Sequence, residues 1–310
     1  MMKENNFFKR VYTVLEVRTG FATGLPVLSG GLFGAYLAGK LDIALLVLMF
    51  ISGFSFNIVS NIANEIRGYL KSEESEETLT GHIGSEGLAR GAAKLKDAVI
   101  ALIFMTMLGG ASGLLIVFIT RDLNILFIGV LSALAAICYS LGPKPYIIYP
   151  VGELISGIFV GFISCFVSIY IQLGKVTVDV VLYSIIAMIM TVFLMSTNNT
   201  SDYNKDMGSR TTLPHVIGFR NSIKIIIPEA IIMVLCWIGL FFNGSIMLIM
   251  FITGIITFYY YGYVRWYKDY YKIKEVYKEM GREWGPRPLL LIYSFHIALS
   301  LEFLIMIIAK

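Results

Sequence analysis

Residues 177–197, TVDVVLYSIIAMIMTVFLMST, decide the fold. The run carries a single charge, Asp179, near its start. About 20 mostly apolar residues are what an α-helix needs to cross a bilayer. Eight further blocks have the same character: 19–39, 42–63, 97–119, 124–142, 151–173, 222–242, 244–264 and 289–309. The reading is therefore an all-α polytopic membrane bundle with nine transmembrane helices. Gly and Pro interrupt several blocks, which bundles tolerate when neighbouring helices satisfy the freed backbone. The run Gly109-Gly110-Ala111-Ser112-Gly113 suits close packing of one helix on another. No linker or low-complexity tract divides the chain, so residues 1–310 are expected to form one domain.

Composition agrees. Hydrophobic residues make up 57% of the chain and charged residues 15%, and mean hydropathy is +0.75. Soluble domains carry about 25% charged residues, so a soluble enzyme, a nucleic-acid binder and a disordered chain are all excluded. The three cysteines, Cys138, Cys165 and Cys236, sit singly in apolar blocks. That spacing gives neither a disulfide framework nor a metal site. The polar first twenty residues lack the apolar core of a cleavable signal peptide.

Charge placement orients the bundle. With nine spans and the N-terminus inside, 21 of the 25 Lys and Arg residues fall on inside segments. Only Lys40, Arg121, Lys175 and Lys310 fall outside. Cytoplasmic loops carry such an excess of Lys and Arg. The expected setting is thus a prokaryotic cell membrane, with the long loops after the second, sixth and eighth spans facing the cytoplasm. Long loops tend to carry function.

Two of those loops hold the chemistry. At the inner end of the second span, Asn57, Asn61 and Glu65 are spaced by four, with Asn64 beside them. On a helix they share one face. Lys71 follows, then an acidic cluster, Glu73, Glu74, Glu76 and Glu77. At the end of the sixth span, Asn198, Asp202 and Asp206 repeat the spacing, with Asn199 adjacent, Lys205 within the run and Arg210 beyond. Carboxylate and amide oxygens are hard ligands that suit Mg²⁺. That ion keeps several waters and is held by one or two carboxylates plus substrate phosphate. Flanking Lys and Arg would bind phosphate oxygens. Two such ridges on one membrane face predict a Mg²⁺–diphosphate site opening into an apolar bundle, a geometry matched by a diphosphate on a long hydrocarbon. The sequon-like strings at Asn198 and Asn199 are read as spurious, because they lie inside.

At these residues the sequence resembles the UbiA superfamily of intramembrane aromatic prenyltransferases, over nearly the whole chain. Within it, the chain is most similar to the branch that prenylates 1,4-dihydroxy-2-naphthoate in menaquinone synthesis. Three stretches carry the likeness: Asn61-Ile-Ala-Asn64-Glu65; Tyr139-Ser-Leu-Gly142-Pro143-Lys144-Pro145 with Tyr149-Pro-Val-Gly152-Glu153; and Asn198-Asn199-x-x-Asp202-x-x-x-Asp206 with Arg210-Thr-Thr-Leu. There are departures. Glu65 stands where the family has Asp, and Gly68 where a second acid is expected. The segment from Asp206 to Leu213 is one residue short, and Gly208-Ser209-Arg210 replaces a Gly-Lys pair.

The resemblance implies Mg²⁺-dependent transfer of a polyprenyl group from its diphosphate to an aromatic acceptor. It implies metal ligation by Asn61, Asn64, Glu65, Asn198, Asp202 and Asp206. Lys71 and Arg210 would stabilise the leaving diphosphate, and such preorganised charge is commonly the largest catalytic contribution. Tyr139 would face the allylic cation. Asn57, Lys144, Glu153 and Asn199 would bind substrate, and water must be kept out. The partners are a polyprenyl diphosphate, an aromatic acceptor and the bilayer. Alternatives are the same fold with another aromatic or terpenoid acceptor, or a transporter. A transporter would be expected to place polar residues and broken helices near the midplane. Glu229, His296 and Glu302 lie within spans, where hydrogen bonding to neighbouring helices is the expected role. The Tyr-rich basic run from Arg265 to Arg287 is expected to lie along the anionic inner leaflet.

Overall fold

The computed structural model describes residues 6–71, 87–204, 206–260 and 286–309, and every regular element among them is a helix. The acidic cluster at 73–77, Lys205 and the basic run over 265–285 lie outside the described residues. We number the helices α1 (Phe7–Leu15), α2 (Val17–Ala38), α3 (Ile43–Lys71), α4 (Leu95–Thr120) and α5 (Leu123–Cys138). They continue with α6 (Gly152–Leu173), α7 (Val178–Ser201), the short α8 (Leu213–Ile217), α9 (Phe219–Phe242), α10 (Leu248–Tyr260) and α11 (Pro286–Ile308).

Every predicted apolar block forms a helix over most of its described residues, and 261–264 of the eighth lie outside them. Among the described residues, seven helices are long and apolar enough to cross a membrane, while α5 and α10 are shorter apolar helices. The fourth block ends at Cys138 rather than 142, where Tyr139 to Pro145 leave the helix in turns and bends. The second block runs on to Lys71, so the Asn57–Glu65 ridge lies inside a continuous helix. One helix was not expected. Asn6 caps α1 by accepting a hydrogen bond from the Phe8 N–H. The Arg10 guanidinium then ties α1 to Asp97 at the start of α4, at 2.7 Å.

The two ends of the bundle differ. At one end the helices are joined by tight turns. Gln172 exchanges two hydrogen bonds with the Asp42 backbone, of 3.0 and 2.8 Å. The Tyr170 hydroxyl donates to Asp122 at 2.7 Å, and Asn243 donates to Asp179 at 3.0 Å. Lys40, Arg121 and Lys175 all lie in these turns. Both Asn–acid ridges, with the described ends of α3, α7 and α10, gather at the opposite end.

Close approaches set the helix spacing. A Cβ on Gly34 of α2 would stand 2.5 Å from the Ile169 carbonyl of α6, and one on Gly161 of α6 would stand 2.6 Å from the Ala187 carbonyl of α7. Around Gly161, residues Gly157–Ile163 form π-helical turns within α6. The core between α2, α7, α9 and α11 is aromatic. Phe33, Tyr183, Trp237, Phe295 and Phe303 are all buried, with Phe33 stacked on Tyr183 at 4.6 Å. The expectation for residues 109–113 holds at Gly109 and Ser112, which are buried, but not at Gly110. A Cβ on Gly109 would stand 3.0–3.2 Å from Ser55 and Phe56 of α3, whereas one on Gly110 would meet nothing within 4 Å.

Ser29 and His296 pair at 2.6 Å, Thr253 donates to Glu302 at 2.6 Å, and Ser196 donates to Glu229 at 3.3 Å. The three intramembrane ionisable groups thus bond to neighbouring helices, as expected. Cys165 and Cys236 pack in the core and Cys138 is exposed, all as free thiols.

Candidate active site

The first ridge is built on the last turns of α3. Asn57 donates to the Thr23 hydroxyl of α2 at 2.8 Å. Asn61 donates to Asn57 at 3.2 Å, and also bonds the Thr19 hydroxyl. Spacing by four thus produces the shared face that the sequence predicts. The Asn64 amide oxygen is buried with no hydrogen-bond partner among the described residues. Glu65 is buried, and one of its oxygens accepts the Leu88 N–H at 2.7 Å. It therefore pins the segment entering α4 to α3, a role that local spacing could not reveal.

The second ridge sits where α7 ends. The Asp202 N–H closes the last turn onto Asn198 at 2.9 Å, and the Asp206 N–H repeats the step onto Asp202 at 2.8 Å. The Arg210 N–H reaches the Asp206 carbonyl at 3.0 Å, and its guanidinium lies 3.9 Å from the Asp206 carboxylate. Spacing by four thus carries past the helix end, keeping Asn198, Asp202, Asp206 and Arg210 in register.

Glu153, at the start of α6, joins this ridge to the preceding loop. It is 2% exposed. One carboxylate oxygen accepts both the Asn199 amide at 2.7 Å and the Leu213 N–H at 3.1 Å. Its other oxygen is buried without a partner among the described residues. The Thr211 N–H meets the Ile148 carbonyl at 3.0 Å, so the loops on either side of α6 and α7 are stitched together. Tyr139 stacks edge-on to Tyr146 at 5.2 Å and lies within electrostatic reach of Arg210, Glu153 and Asp206. Lys71 and Lys144 are exposed, and neither makes an ion pair among the described residues.

Sequence reasoning missed His215. Its Nδ1 accepts from the Thr212 N–H at 3.2 Å, so Nε2 carries the proton and donates to the Tyr203 carbonyl at 2.9 Å. The ring stacks on Tyr203 at 4.6 Å. His215 therefore latches the Arg210 segment shut. The Thr212-Leu-Pro-His pattern of a helix start was the available signal.

A cavity of about 350 Å³ lies beside Asn57 and Tyr139, the two predicted site residues that line it; the other site residues stand outside its lining. Asn57, Ser60, Tyr139 and Ser156 line its polar end, and residues such as Phe56, Phe159 and Ile163 line the rest. No charged side chain lines it, so it suits an apolar tail, and a diphosphate attached to that tail would sit beyond Asn57 and Tyr139, toward the ridges. Among the described residues no three acidic, His or Cys side chains form a metal cage. The donor set nevertheless fits Mg²⁺, which needs few protein carboxylates when phosphate supplies the rest. The orphaned Asn64 oxygen is a hard donor suited to that ion.

The chain matches the UbiA prenyltransferase family over residues 23–282. It is 26% identical over 227 residues to the 1,4-dihydroxy-2-naphthoate octaprenyltransferase of Bacillus subtilis, covering 72% of this chain and 71% of that one. The protein of the same description from Haemophilus influenzae is 27% identical over 166 residues, and the match spans about half of each chain, 52% and 53%. Among solved structures, a UbiA homolog from Archaeoglobus fulgidus bound to GPP and Mg²⁺ superposes with a TM-score of 0.67 at 17% identity. That match covers 97% of this chain and 98% of the other, so the fold is shared throughout.

Proposed function

Because this chain belongs to the UbiA prenyltransferase family, and so is a membrane prenyltransferase, we propose that it transfers a polyprenyl group from its diphosphate to 1,4-dihydroxy-2-naphthoate. The observation that carries this reading is the cavity, polar at Asn57 and Tyr139 and apolar beyond. In a bilayer the donor's tail occupies the apolar part while its diphosphate stays at the ridges.

The residues take the following parts. Arg210, ordered by Asp206 and by the His215 latch, meets the diphosphate oxygens, and Lys71 meets them from α3. Asn61, Asn64, Glu65, Asn198, Asp202 and Asp206 supply oxygens for Mg²⁺, which when bound neutralises charge on the leaving group. As the allylic carbon–oxygen bond breaks, the diphosphate leaves with the electron pair. An acceptor ring carbon then forms the new carbon–carbon bond, and the ring carboxylate is lost as carbon dioxide. Tyr139 presents its ring to the allylic cation, and the apolar walls exclude water that would capture it. Lys144, Asn57, Glu153 and Asn199 shape the substrate end. The same chemistry is expected of the aromatic acceptor's relatives, and Gly68, where the family carries an acid, favours testing them alongside.

The two shorter helices complete nine spans in this reading, in one domain. The positive-inside split puts the site end in the cytoplasm of a prokaryotic cell. The test is a product assay on detergent-purified protein with Mg²⁺, 1,4-dihydroxy-2-naphthoate and a series of prenyl diphosphates, read by mass spectrometry. A prenylated, decarboxylated naphthoquinol is expected from the wild type and not from Asp202→Ala. Prenyl transfer that survives in Asp202→Ala removes the site assignment. Mg²⁺-dependent diphosphate release without the naphthoquinol removes the acceptor.

A further inference from the structure

The first helix, α1, presents three sides, because each residue of an α-helix turns about 100°. Val11, Val14 and Leu15 fall on one side and join the apolar cluster around Ile58, Ile62 and Ala98. Arg10 and Thr13 fall on a second. Arg10 reaches Asp97, and a Cβ on Gly87 would clash with Thr13. Phe8 and Tyr12 fall on the third side, where they are 79% and 51% exposed. Phe8 packs edge-on against Phe7 at 5.7 Å, and no other element among the described residues covers this aromatic side.

The depth of α1 follows from α4. Lys96, Ile100, Ile103 and Met107 recur at helical spacing on one face of α4, and all four are exposed. In a membrane protein such an apolar stripe faces lipid. From Ile100 to Thr120, the last residue of α4, twenty helical steps span about 30 Å, which is the thickness of the hydrocarbon core. Lys96 stands one turn, about 6 Å, beyond Ile100. The headgroup layer is about 5–7 Å deep on each side, so Lys96 lies within it. Asp97 is the next residue, and the Arg10–Asp97 pair holds α1 at the same depth. Arg10 also matches the charge of Asp97. Lys94 and Lys96 are exposed beside it, and neither makes an ion pair among the described residues.

Going beyond the prenyl-transfer reading, we propose that α1 is an in-plane anchor in the headgroup layer at the site end, with Phe8 and Tyr12 turned to the acyl boundary and Lys94 and Lys96 binding the phosphate of an anionic phospholipid. A short helix with aromatic residues on one side and basic residues nearby suits that layer, where Tyr is enriched. The lipid phosphate supplies the negative charge that the protein does not place beside these two lysines. Thr13 packs on Gly87, and Glu65 accepts the N–H of the next residue, Leu88, at 2.7 Å. The anchor therefore stands between the bilayer and the segment that closes on the first ridge.

The test uses full-length protein in nanodiscs of phosphatidylcholine and phosphatidylglycerol in equal parts. A nitroxide is attached at Phe8→Cys or Tyr12→Cys in a Cys138→Ser background, the other two cysteines being buried. Its collisions with oxygen and with a water-soluble nickel chelate are compared. Both labels should favour oxygen, as a label at the lipid-facing Ile103→Cys does. Labels that favour the nickel chelate at both positions overturn the proposal. Lipid that stays with the protein on extraction is counted by mass spectrometry. Wild type should retain phosphatidylglycerol over phosphatidylcholine. Lys94→Gln with Lys96→Gln should lose at least about five-fold of that preference, the scale of one basic residue at an anionic surface. Lys40→Gln with Lys175→Gln, at the opposite end, should keep it. No preference in wild type, an undiminished preference in the Lys94 and Lys96 variant, or an equal loss in the opposite-end variant overturns the proposal. Neither readout needs a prenyl donor, so its failure is distinct from a failure of prenyl transfer.

Discussion

Glu153 offers the sharpest test of how the site end is held together. Its carboxylate is buried and joins α6 to Asn199 of α7 and to the Leu213 backbone. Hydrogen bonds to charged groups contribute about 1.5–3 kcal/mol each. Glu153→Ala removes two and strands a half-buried amide and a half-buried N–H, so a loss of up to about 3–6 kcal/mol is expected. Glu153→Gln keeps a carbonyl oxygen that can accept both bonds. Charge-assisted bonds are roughly twice as strong as neutral ones, so Gln should cost about half as much as Ala. Asn199→Ala removes one of the two bonds, and in the Glu153→Ala background it should add little, because its partner is gone. The assay is reversible unfolding in mixed micelles with increasing dodecyl sulfate, followed by circular dichroism. Prenyl transfer is measured in parallel, since Arg210 rides on the segment that Leu213 anchors. If Glu153→Ala loses less than about 1 kcal/mol, or Gln is as damaging as Ala, the carboxylate is not acting as the clamp described.

Two further predictions concern packing and pH. Gly34→Val should destabilise by about 1–3 kcal/mol or more, because the Ile169 backbone cannot yield. Gly110→Ala should be neutral or slightly stabilising, as helical Gly→Ala substitutions into open space are; equal unfolding curves for the two would contradict the spacing described. At the opposite end, the Tyr170 hydroxyl and the Asn124 N–H hold Asp122 below the usual carboxylate range. A depressed folded-state pKa contributes stability above the unfolded value, near 3.9, that is lost as pH falls through the folded one. Tyr170→Phe should therefore lower the unfolding midpoint at pH 6. The gap from wild type should narrow below about pH 4, whereas a constant gap would mean that the hydroxyl acts through packing alone.

Much of this architecture was legible because a bilayer imposes one simple rule on a chain: long apolar runs become helices. Asn57, Asn61 and Glu65 share a face as a spacing of four requires, since helix geometry is local. What the sequence hid was non-local. Glu65 bonds a backbone amide 23 residues away, and Glu153 bonds one 60 residues away; no pattern of residue types announces an acceptor for a main-chain N–H. The amphipathic α1 escaped notice because its apolar face is too short to read as a span. Its Asn6 cap was visible, but its Arg10–Asp97 tether was not. Residues 109–113 misled for a different reason. Small residues permit close approach without compelling it: Gly109 and Ser112 are buried against neighbours, while Gly110 faces open space. The unexpected space beside Gly110 and Gly113 became part of the cavity wall.

The wide turns of α6 at Gly157–Ile163 bear on how this chain can change over evolutionary time. A π-helical turn holds one residue more than an α-helical turn would, and each residue of an α-helix turns about 100°. Losing a single residue there would leave a regular α-helix, but would swing everything before it about a quarter-turn. Glu153 would then face away from Asn199, while Cys165 and Ile169 kept their places against α2. Substitutions can accumulate in this segment one at a time, whereas a single-codon deletion would separate the anchoring half of the helix from the half that serves the site. Apart from Gly157 and Gly161, which a Cβ would drive into α7, the side chains of 157–163 should therefore vary among descendants long before the segment varies in length.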